Sequence, residues 1–307
     1  MLLKKRTPHD AKLPHPVQAP DRPGRIGTPP LCSGMTYSAA PDVPRRFVDL
    51  HSHLVPAVDD GVESVQEALD SLAALADDGA EGVVTTPHLL VPHLAGAAAL
   101  QDTLDRQRRG FARVVHAVER STDLPWIALG QEILAPDPAA ARRALALQGL
   151  GLGNERYLLI EFGFALRGQP LETIDAVLDA GRTPVVAHPE RYFFDSAAAG
   201  LESAQAWQER GAHLQINAGS FGGYYAHSSP LAAELAWALV REGLASLVAS
   251  DHHGIRRQGV SLDDAWSALV SRGAAAEAEL LLGENPRRIR LGQDLVAVPA
   301  VSVAMRV

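Results

Sequence analysis

Phe47-Val48-Asp49-Leu50-His51-Ser52-His53 is the stretch on which the fold turns. The short apolar run ahead of the histidines is expected to be a strand. Side chains two apart on an extended segment point to the same face, so His51 and His53 reach one end of a sheet together. Two neutral imidazoles side by side can grip one divalent metal.

Working outward, a β–α alternation repeats from Phe47 onward. Strand-like runs are expected at Phe47–Leu50, Gly82–Thr86, Trp126–Leu129, Tyr157–Glu161, Thr183–Ala187, His213–Asn217 and Ser246–Ser250. Helical spacing lies between them. The first helix opens on a capping box, Ser64-x-x-Glu67, runs through Ala68, Leu69, Leu72, Ala73 and Ala76, and closes at Asp78-Gly79. Further helices are expected over roughly 97–120, 170–180, 198–210, 230–242 and 261–272, with a less regular stretch at 137–147. Strands alternating with helices imply a parallel sheet with helices outside. Seven such units predict an α/β barrel closed by seven or eight of them.

The active site of a parallel β/α barrel lies at the C-terminal ends of its strands. Those ends here carry His51 and His53, with Asp59-Asp60-Gly61 in the next loop; Thr86-Pro87-His88; Gly130-Gln131-Glu132; Ile160-Glu161-Phe162; Ala187-His188-Pro189-Glu190-Arg191; and Ser250-Asp251-His252-His253. The sixth strand ends differently, in Asn217-Ala218-Gly219-Ser220. One histidine at a strand end is most simply a hydrogen-bonded structural group, but six coincidences at one end of one fold are not. Clustered imidazoles and carboxylates without a cation would repel or stay unsatisfied. The donors outnumber the four to six that one ion uses, so two or three divalent ions are expected. A mixed N/O set without thiolate fits Mn²⁺, Zn²⁺ or Fe and fits Ca²⁺ poorly. A multi-metal clamp suits hydrolysis of a phosphate ester.

The rest of the composition narrows the class. The chain has 307 residues and a net charge of −8. Residues 1–46 hold eight Lys/Arg against three Asp/Glu, so the remainder is more acidic than the whole. An acidic body argues against non-specific nucleic-acid binding. Residues 1–44 hold nine of the 21 prolines without periodicity and are expected to be a disordered, Pro-rich, basic leader. Residues 45–307 are expected to form the catalytic domain. The single cysteine, Cys32, lies among Pro, Ser and Gly in that leader and does not resemble a phosphatase nucleophile. No run approaches ~18 apolar residues, so no membrane insertion is expected. No apolar segment follows the basic start Met1-Leu2-Leu3-Lys4-Lys5-Arg6, so no secretory signal is expected and the location is taken as cytoplasmic.

These same segments carry a resemblance. Val48-Asp49-Leu50-His51-Ser52-His53 with Asp59-Asp60-Gly61 resembles the first motif of the polymerase-and-histidinol-phosphatase (PHP) superfamily. Thr86-Pro87-His88, Tyr157–Phe162, Ala187–Tyr192, Gln215–Ser220, Ala249-Ser250-Asp251 with His253, and Glu284-Asn285-Pro286 continue it. Together they resemble the bacterial capsular-polysaccharide tyrosine-protein phosphatases over about residues 47–292. The resemblance implies a distorted (β/α)7 barrel of the PHP type, with a trinuclear, usually manganese-dependent site at the C-terminal strand ends.

By the same resemblance, His51, His53, Asp60, His88, Glu132, Glu161, His188, Asp251 and His253 are the metal ligands. Asp59 is the rival of Asp60, with capping of the turn as its simpler role, and His252 is the rival of His253. Arg191 is the phosphate-contacting arginine, with a salt bridge to Glu190 as its simpler role. Arg191, Asp251 and His188 are assigned to catalysis. A second substrate-binding arginine is Arg256 or Arg257, and spacing does not choose between them. Tyr192, Phe193 and Phe194 are candidates for a wall beside an aromatic leaving group, although packing beneath the loop is the simpler role.

The implied substrate is phosphotyrosine on an autophosphorylating bacterial tyrosine kinase of capsule or exopolysaccharide synthesis. The alternatives are a small-molecule phosphatase, for histidinol phosphate or a sugar phosphate, and, further off, a PHP nuclease. Whether the chain forms a homo-oligomer is left open.

Overall fold

The computed structural model describes residues 46–256 and 260–301. The leader expected at 1–44, Cys32 and Arg257 lie outside them.

All seven expected strands form. They are β1 (Phe47–Asp49), β2 (Ala80–Thr85), β4 (Trp126–Leu129), β6 (Tyr157–Glu161), β7 (Thr183–Ala187), β8 (His213–Asn217) and β9 (Leu247–Ala249). Two short strands were not expected, β3 (His88–Leu89) and β5 (Glu132–Leu134). Each continues a longer strand after a two-residue break. Pro87 supplies the first break, because it has no N–H to donate to a ladder. Gly130-Gln131 supplies the second.

Every pairing is parallel. One sheet runs β1-β2-β4 and the other β3-β5-β6-β7-β8-β9. Backbone bonds span the breaks: Gly130 N–H donates to Thr85 O at 2.9 Å and Glu132 N–H to Pro87 O at 3.3 Å. At the far edge a parallel bridge joins Ser52 to His252. His53 N–H donates to His252 O and Asp251 N–H to His51 O, both at 2.8 Å. The Asp49 carboxylate adds a side-chain tie, accepting from the backbone N–H and the hydroxyl of Ser250.

The helices between strands are α1 (Val65–Asp77), α2 (Gly96–Val118), α3 (Pro138–Leu145), α4 (Pro170–Asp179), α5 (Ala197–Glu209), α6 (Ala232–Arg241) and α7 (Leu262–Ser271), followed by α8 (Ala275–Glu279) and α9 (Asn285–Arg290). The Ser64 hydroxyl caps α1 by accepting from Glu67 N–H, and Glu67 returns a bond to Glu63 N–H. That is one residue before the position a capping box would use.

Period-two alternation positions the site. On β6, Leu158 and Ile160 pack with the helices, whereas Tyr157 and Leu159 join an inner cluster with Val48, Val84, Val185 and Leu247. Glu161 continues the inward set of β6 by the same count. Ile133 and the pair Leu214 and Ile216 also belong to the helix side, which leaves Glu132, Gln215 and Asn217 on the inner face. The inner cluster thus ends, toward the C-terminal ends of the strands, in polar and charged groups.

Candidate metal centre

His51 and His53 are fully buried, and their Nε2 atoms stand 3.4 Å apart. Their Nδ1 atoms are tied back. His51 Nδ1 lies 2.9 Å from Gln215 Oε1, and His53 Nδ1 lies 2.9 Å from Asp59 Oδ2. Both partners are acceptors, because Gln215 spends its Nε2 on Asn217 Oδ1. Each Nδ1 therefore carries a proton, and the two Nε2 atoms are left facing one another.

The carboxylates around them are divided in the same way. Asp251 Oδ2 accepts from Asn217 Nδ2 and from Arg191 Nη1, each at 2.7 Å. Its Oδ1 faces His51 Nε2 at 3.3 Å and His53 Nε2 at 3.4 Å. Glu132 Oε1 lies 2.9 Å from His188 Nε2, while Oε2 is 3.4 Å from both His51 Nε2 and His53 Nε2. Glu132 Oε2 also lies 2.8 Å from His88 Nδ1, but off the line of a hydrogen bond, so both buried atoms lack a hydrogen-bond partner. His88 Nε2 and His253 Nε2 face Asp60 Oδ1 at 3.3 and 3.5 Å, and His253 Nδ1 is satisfied by Asp251 O at 2.8 Å.

These spacings test the donor set for metal. Charge-assisted N–H···O bonds run at about 2.7–2.9 Å. A separation of roughly 3.4 Å is the edge of a tetrahedron with ~2.1 Å metal–ligand bonds. Histidine ligands also hand their second ring nitrogen to a carboxylate, amide or carbonyl, as His51, His53 and His253 do here. The donors fit divalent ions. All nine residues named as ligands from the sequence fall in overlapping clusters: His53 with Asp60, His88 and His253; His51 with Glu132 and His188; His51 with His53 and Asp251; and His88 with Glu132 and Glu161.

The electrostatics agree. Burial opposes charge on every inner group, yet Glu132 is held well below its usual value by His88 and His51, and Asp251 by His51 and His253. Burial likewise opposes a charged His53, but Asp59 outweighs it and keeps its pKa well above the usual value. Glu132 and Asp60 carry His88 up to about 10 against the same burial. Glu161 goes the other way, to about 7, through burial and then the neighbouring charge of Glu132. A field that holds protons on imidazoles this firmly is the field that attracts divalent cations.

Two of the four non-glycine residues at positive φ among the described residues are candidate ligands. His188 and Asp251 adopt left-handed conformations, with φ of 32° and 53°. Such strain costs on the order of 1–3 kcal/mol per residue and persists where the surroundings fix it. Gly61 is required by crowding, since a Cβ there would stand 2.1 Å from His53 O.

Asp60 is exposed and turned to His88 and His253, while Asp59 is buried behind His53, where it also accepts from Gly61 N–H and His88 N–H. The turn-capping role expected of Asp59 is present, and the hold on His53 is added to it. His252 belongs to none of these clusters and is buried, with neither ring nitrogen hydrogen-bonded. Arg191 pairs with Asp251, not Glu190. Its guanidinium lies between Phe164 and Tyr225, 5.0 and 4.1 Å from the ring centres. Glu190 is fully buried and accepts from Asn217 N–H and the Ser220 hydroxyl. Arg256 is exposed on the loop after His253. Of the three aromatics after Arg191, Tyr192 is buried and accepts from Phe162 N–H, Phe194 packs near Trp207, and Phe193 is exposed.

Gln215, Asn217, Tyr225 and Phe164 were not named as site residues from the sequence. The alternation along β8 was a usable signal for the two amides, because it puts Gln215 and Asn217 on one face between the ligand-bearing ends of β7 and β9. The run Gly222-Gly223-Tyr224-Tyr225 reads as a loop beside the site without giving Tyr225 a role, and nothing local marks Phe164.

A family model described as "Capsular polysaccharide synthesis, CpsB/CapC" matches residues 47–290. The tyrosine-protein phosphatase CpsB of Streptococcus pneumoniae is 27% identical over 251 residues, covering 80% of this chain and 99% of that one. The tyrosine-protein phosphatase YwqE of Bacillus subtilis is 27% identical over 270 residues, covering 85% and 98%. A solved structure from work on YwqE of B. subtilis and CpsB of S. pneumoniae, described as metal-dependent tyrosine phosphatases, aligns with a TM-score of 0.65 and 25% identity. That alignment covers 84% of this chain and 99% of the other.

Proposed function

The chain belongs to the capsular polysaccharide synthesis CpsB/CapC family, and from that membership and the geometry of its polar strand ends we propose that it is a metal-dependent protein-tyrosine phosphatase. The observation that carries the proposal is the pair of Nε2 atoms of His51 and His53, 3.4 Å apart and faced by Asp251 Oδ1 and Glu132 Oε2.

His51, His53, Asp60, His88, Glu132, Glu161, His188, Asp251 and His253 would hold two or three ions, manganese foremost and zinc or iron as alternatives. Bound there, such ions supply Lewis acidity, lowering the pKa of a water and balancing charge on the phosphoryl oxygens. The seven β/α units form a distorted barrel. The bridge from Ser52 to His252 and the bonds across the two strand breaks support its closure.

The chain's own groups do the rest. Arg191 offers a planar fork to two phosphoryl oxygens, pre-oriented between Phe164 and Tyr225. Asn217 fixes Asp251, Gln215 fixes the His51 tautomer, and Asp59 fixes that of His53. A phenolate leaves readily because its conjugate acid has a pKa of about 10, so little general acid help is required. Cysteine chemistry is not part of this mechanism.

The substrate is phosphotyrosine on an autophosphorylating bacterial tyrosine kinase of capsule or exopolysaccharide synthesis, met in the cytoplasm. No helix among the described residues is long and apolar enough to cross a membrane.

Metal analysis of the purified protein beside a phosphotyrosyl-peptide assay, with and without chelator, tests the proposal. The expected result is metal-dependent turnover of the peptide. A kcat/KM that favours histidinol phosphate or a sugar phosphate by orders of magnitude overturns the substrate assignment. Degradation of DNA at low salt without peptide turnover overturns the phosphatase assignment.

A further inference from the structure

Seven large hydrophobic side chains are exposed among the described residues, and four of them, Leu90, Phe193, Tyr224 and Ile255, lie on loops that leave the C-terminal ends of strands. Apolar surface collected on the rim of an otherwise charged site is a signature of ligand contact. Two of the four belong to one chain of contacting groups. Phe193 stacks toward Phe164 with centroids 6.1 Å apart and planes at 28°. Phe164 lies 5.0 Å from the Arg191 guanidinium, Arg191 lies 4.1 Å from the Tyr225 ring, and Tyr225 meets Tyr224 edge-on at 5.1 Å. The inner members are buried or half-buried, whereas Phe193 and Tyr224 are 59% and 49% exposed. An arginine thus lies between two aromatic arms whose outer rings face solvent.

The geometry points to Phe193 and Tyr224 as opposing walls of a slot for the phenyl ring of phosphotyrosine, above an Arg191 that takes the phosphoryl group. This inference rests on the phosphatase function proposed above. Depth supports it. The groups that would act on phosphorus, His51, His188 and Asp251, are at most 3% exposed, so the phosphoryl group must descend below the rim. A tyrosyl side chain is long enough to do so with its ring level with the walls. A seryl phosphate would draw the peptide backbone down among them.

The arms are held in place by backbone. Phe193 N–H donates to Phe164 O at 2.8 Å, Tyr224 N–H donates to Gly219 O at 3.0 Å, and the Ser229 hydroxyl donates to Arg191 O at 3.0 Å. The loops after β7 and β8 are thus tied to each other and to the loop after β6, which limits the backbone ordering entropy lost when a ring enters.

The test compares kcat/KM for a phosphotyrosyl peptide with that for a fluorinated alkyl phosphate whose alcohol is about as acidic as phenol, so that leaving-group chemistry is matched. Phe193→Ala and Tyr224→Ala are each expected to lower the ratio of the two roughly three- to tenfold, the range of one aromatic contact. Tyr224→Phe and Phe193→Tyr should restore it, because the ring and not the hydroxyl is used. Bound metal is measured on each variant, and Phe193→Leu keeps the volume should the alanine variant fold poorly. A ratio unmoved in Phe193→Leu and Tyr224→Ala, in protein that still turns over the peptide, overturns the slot and leaves the phosphatase intact. A fully metallated wild-type protein inert toward both esters overturns both.

Discussion

Arg191 Nη1 donates to Asp251 Oδ2 at 2.7 Å, so the cation meant for substrate is docked on a carboxylate whose other oxygen faces His51 and His53. One side chain thereby links the phosphate-binding group to the metal-binding group. Asn217 shares the load on the same oxygen, so Asp251 keeps a partner when Arg191 swings to substrate.

Arg191→Lys is accordingly not a conservative change. A lysine loses the planar fork and the stacking between Phe164 and Tyr225. We expect kcat/KM for a phosphotyrosyl peptide to fall by about 100-fold, with bound metal unchanged. Asp251→Asn should lose metal together with activity. Steady-state kinetics combined with metal analysis separates the two, and parallel loss of metal in both variants would contradict the division of roles.

Asp59 and Asp60 are neighbours in sequence with different work. Asp59 holds His53 Nδ1 at 2.9 Å from behind, whereas Asp60 faces His88 and His253 directly. Asp59→Asn can still accept from His53 Nδ1, so it should weaken metal binding by about tenfold. Asp59→Leu cannot, and should approach 100-fold. Competition against a chelator of known affinity measures both. Equal affinities for the two variants would show that orientation of His53 does not matter.

Much of this was legible because it is local. A run such as Tyr157–Glu161 declares its strand by composition, and Ser64 declares a helix start. Ligands at strand ends follow from the rule that sites sit there. What was hidden depends on tertiary contact. The breaks at Pro87 and at Gly130-Gln131, which split two strands and set His88 and Glu132 at the head of new ones, concern the ladder more than the residue. The division of Asp59 from Asp60 depends on which carboxylate the turn buries. Arg191 shows the same limit: adjacency suggested Glu190, but the fold sends that carboxylate to Asn217 and Ser220 and the guanidinium to Asp251.

Metal should also stabilise the fold. Without it, His88 Nδ1 and Glu132 Oε2 stay buried without hydrogen bonds. Ions present at about 100 times their dissociation constant contribute roughly 2.7 kcal/mol. A thermal midpoint recorded with manganese and again with excess chelator should fall by several degrees, and activity should vanish with it. Thiol alkylation should leave turnover intact. Loss of activity on alkylation, or an unmoved midpoint on chelation, would count against the metal centre.

His213 offers a test of pH dependence away from the metal site. It starts β8, beside Tyr157, at the end of the strand opposite the ligands. Burial, and then the charge of Arg156, lowers its pKa from 6.5 to about 4. Between those values the unfolded chain holds a proton that the folded chain does not, so stability falls as pH drops from 6.5 toward 4. The full loss attributable to His213 is on the order of 3 kcal/mol. Urea unfolding of metal-free protein at pH 6.5 and pH 4.5 should show a smaller acid loss for His213→Asn than for the unmodified chain. Other titrating histidines contribute alike to both proteins and drop out of the difference. Parallel pH slopes in the two would mean that His213 accepts its proton in the folded state.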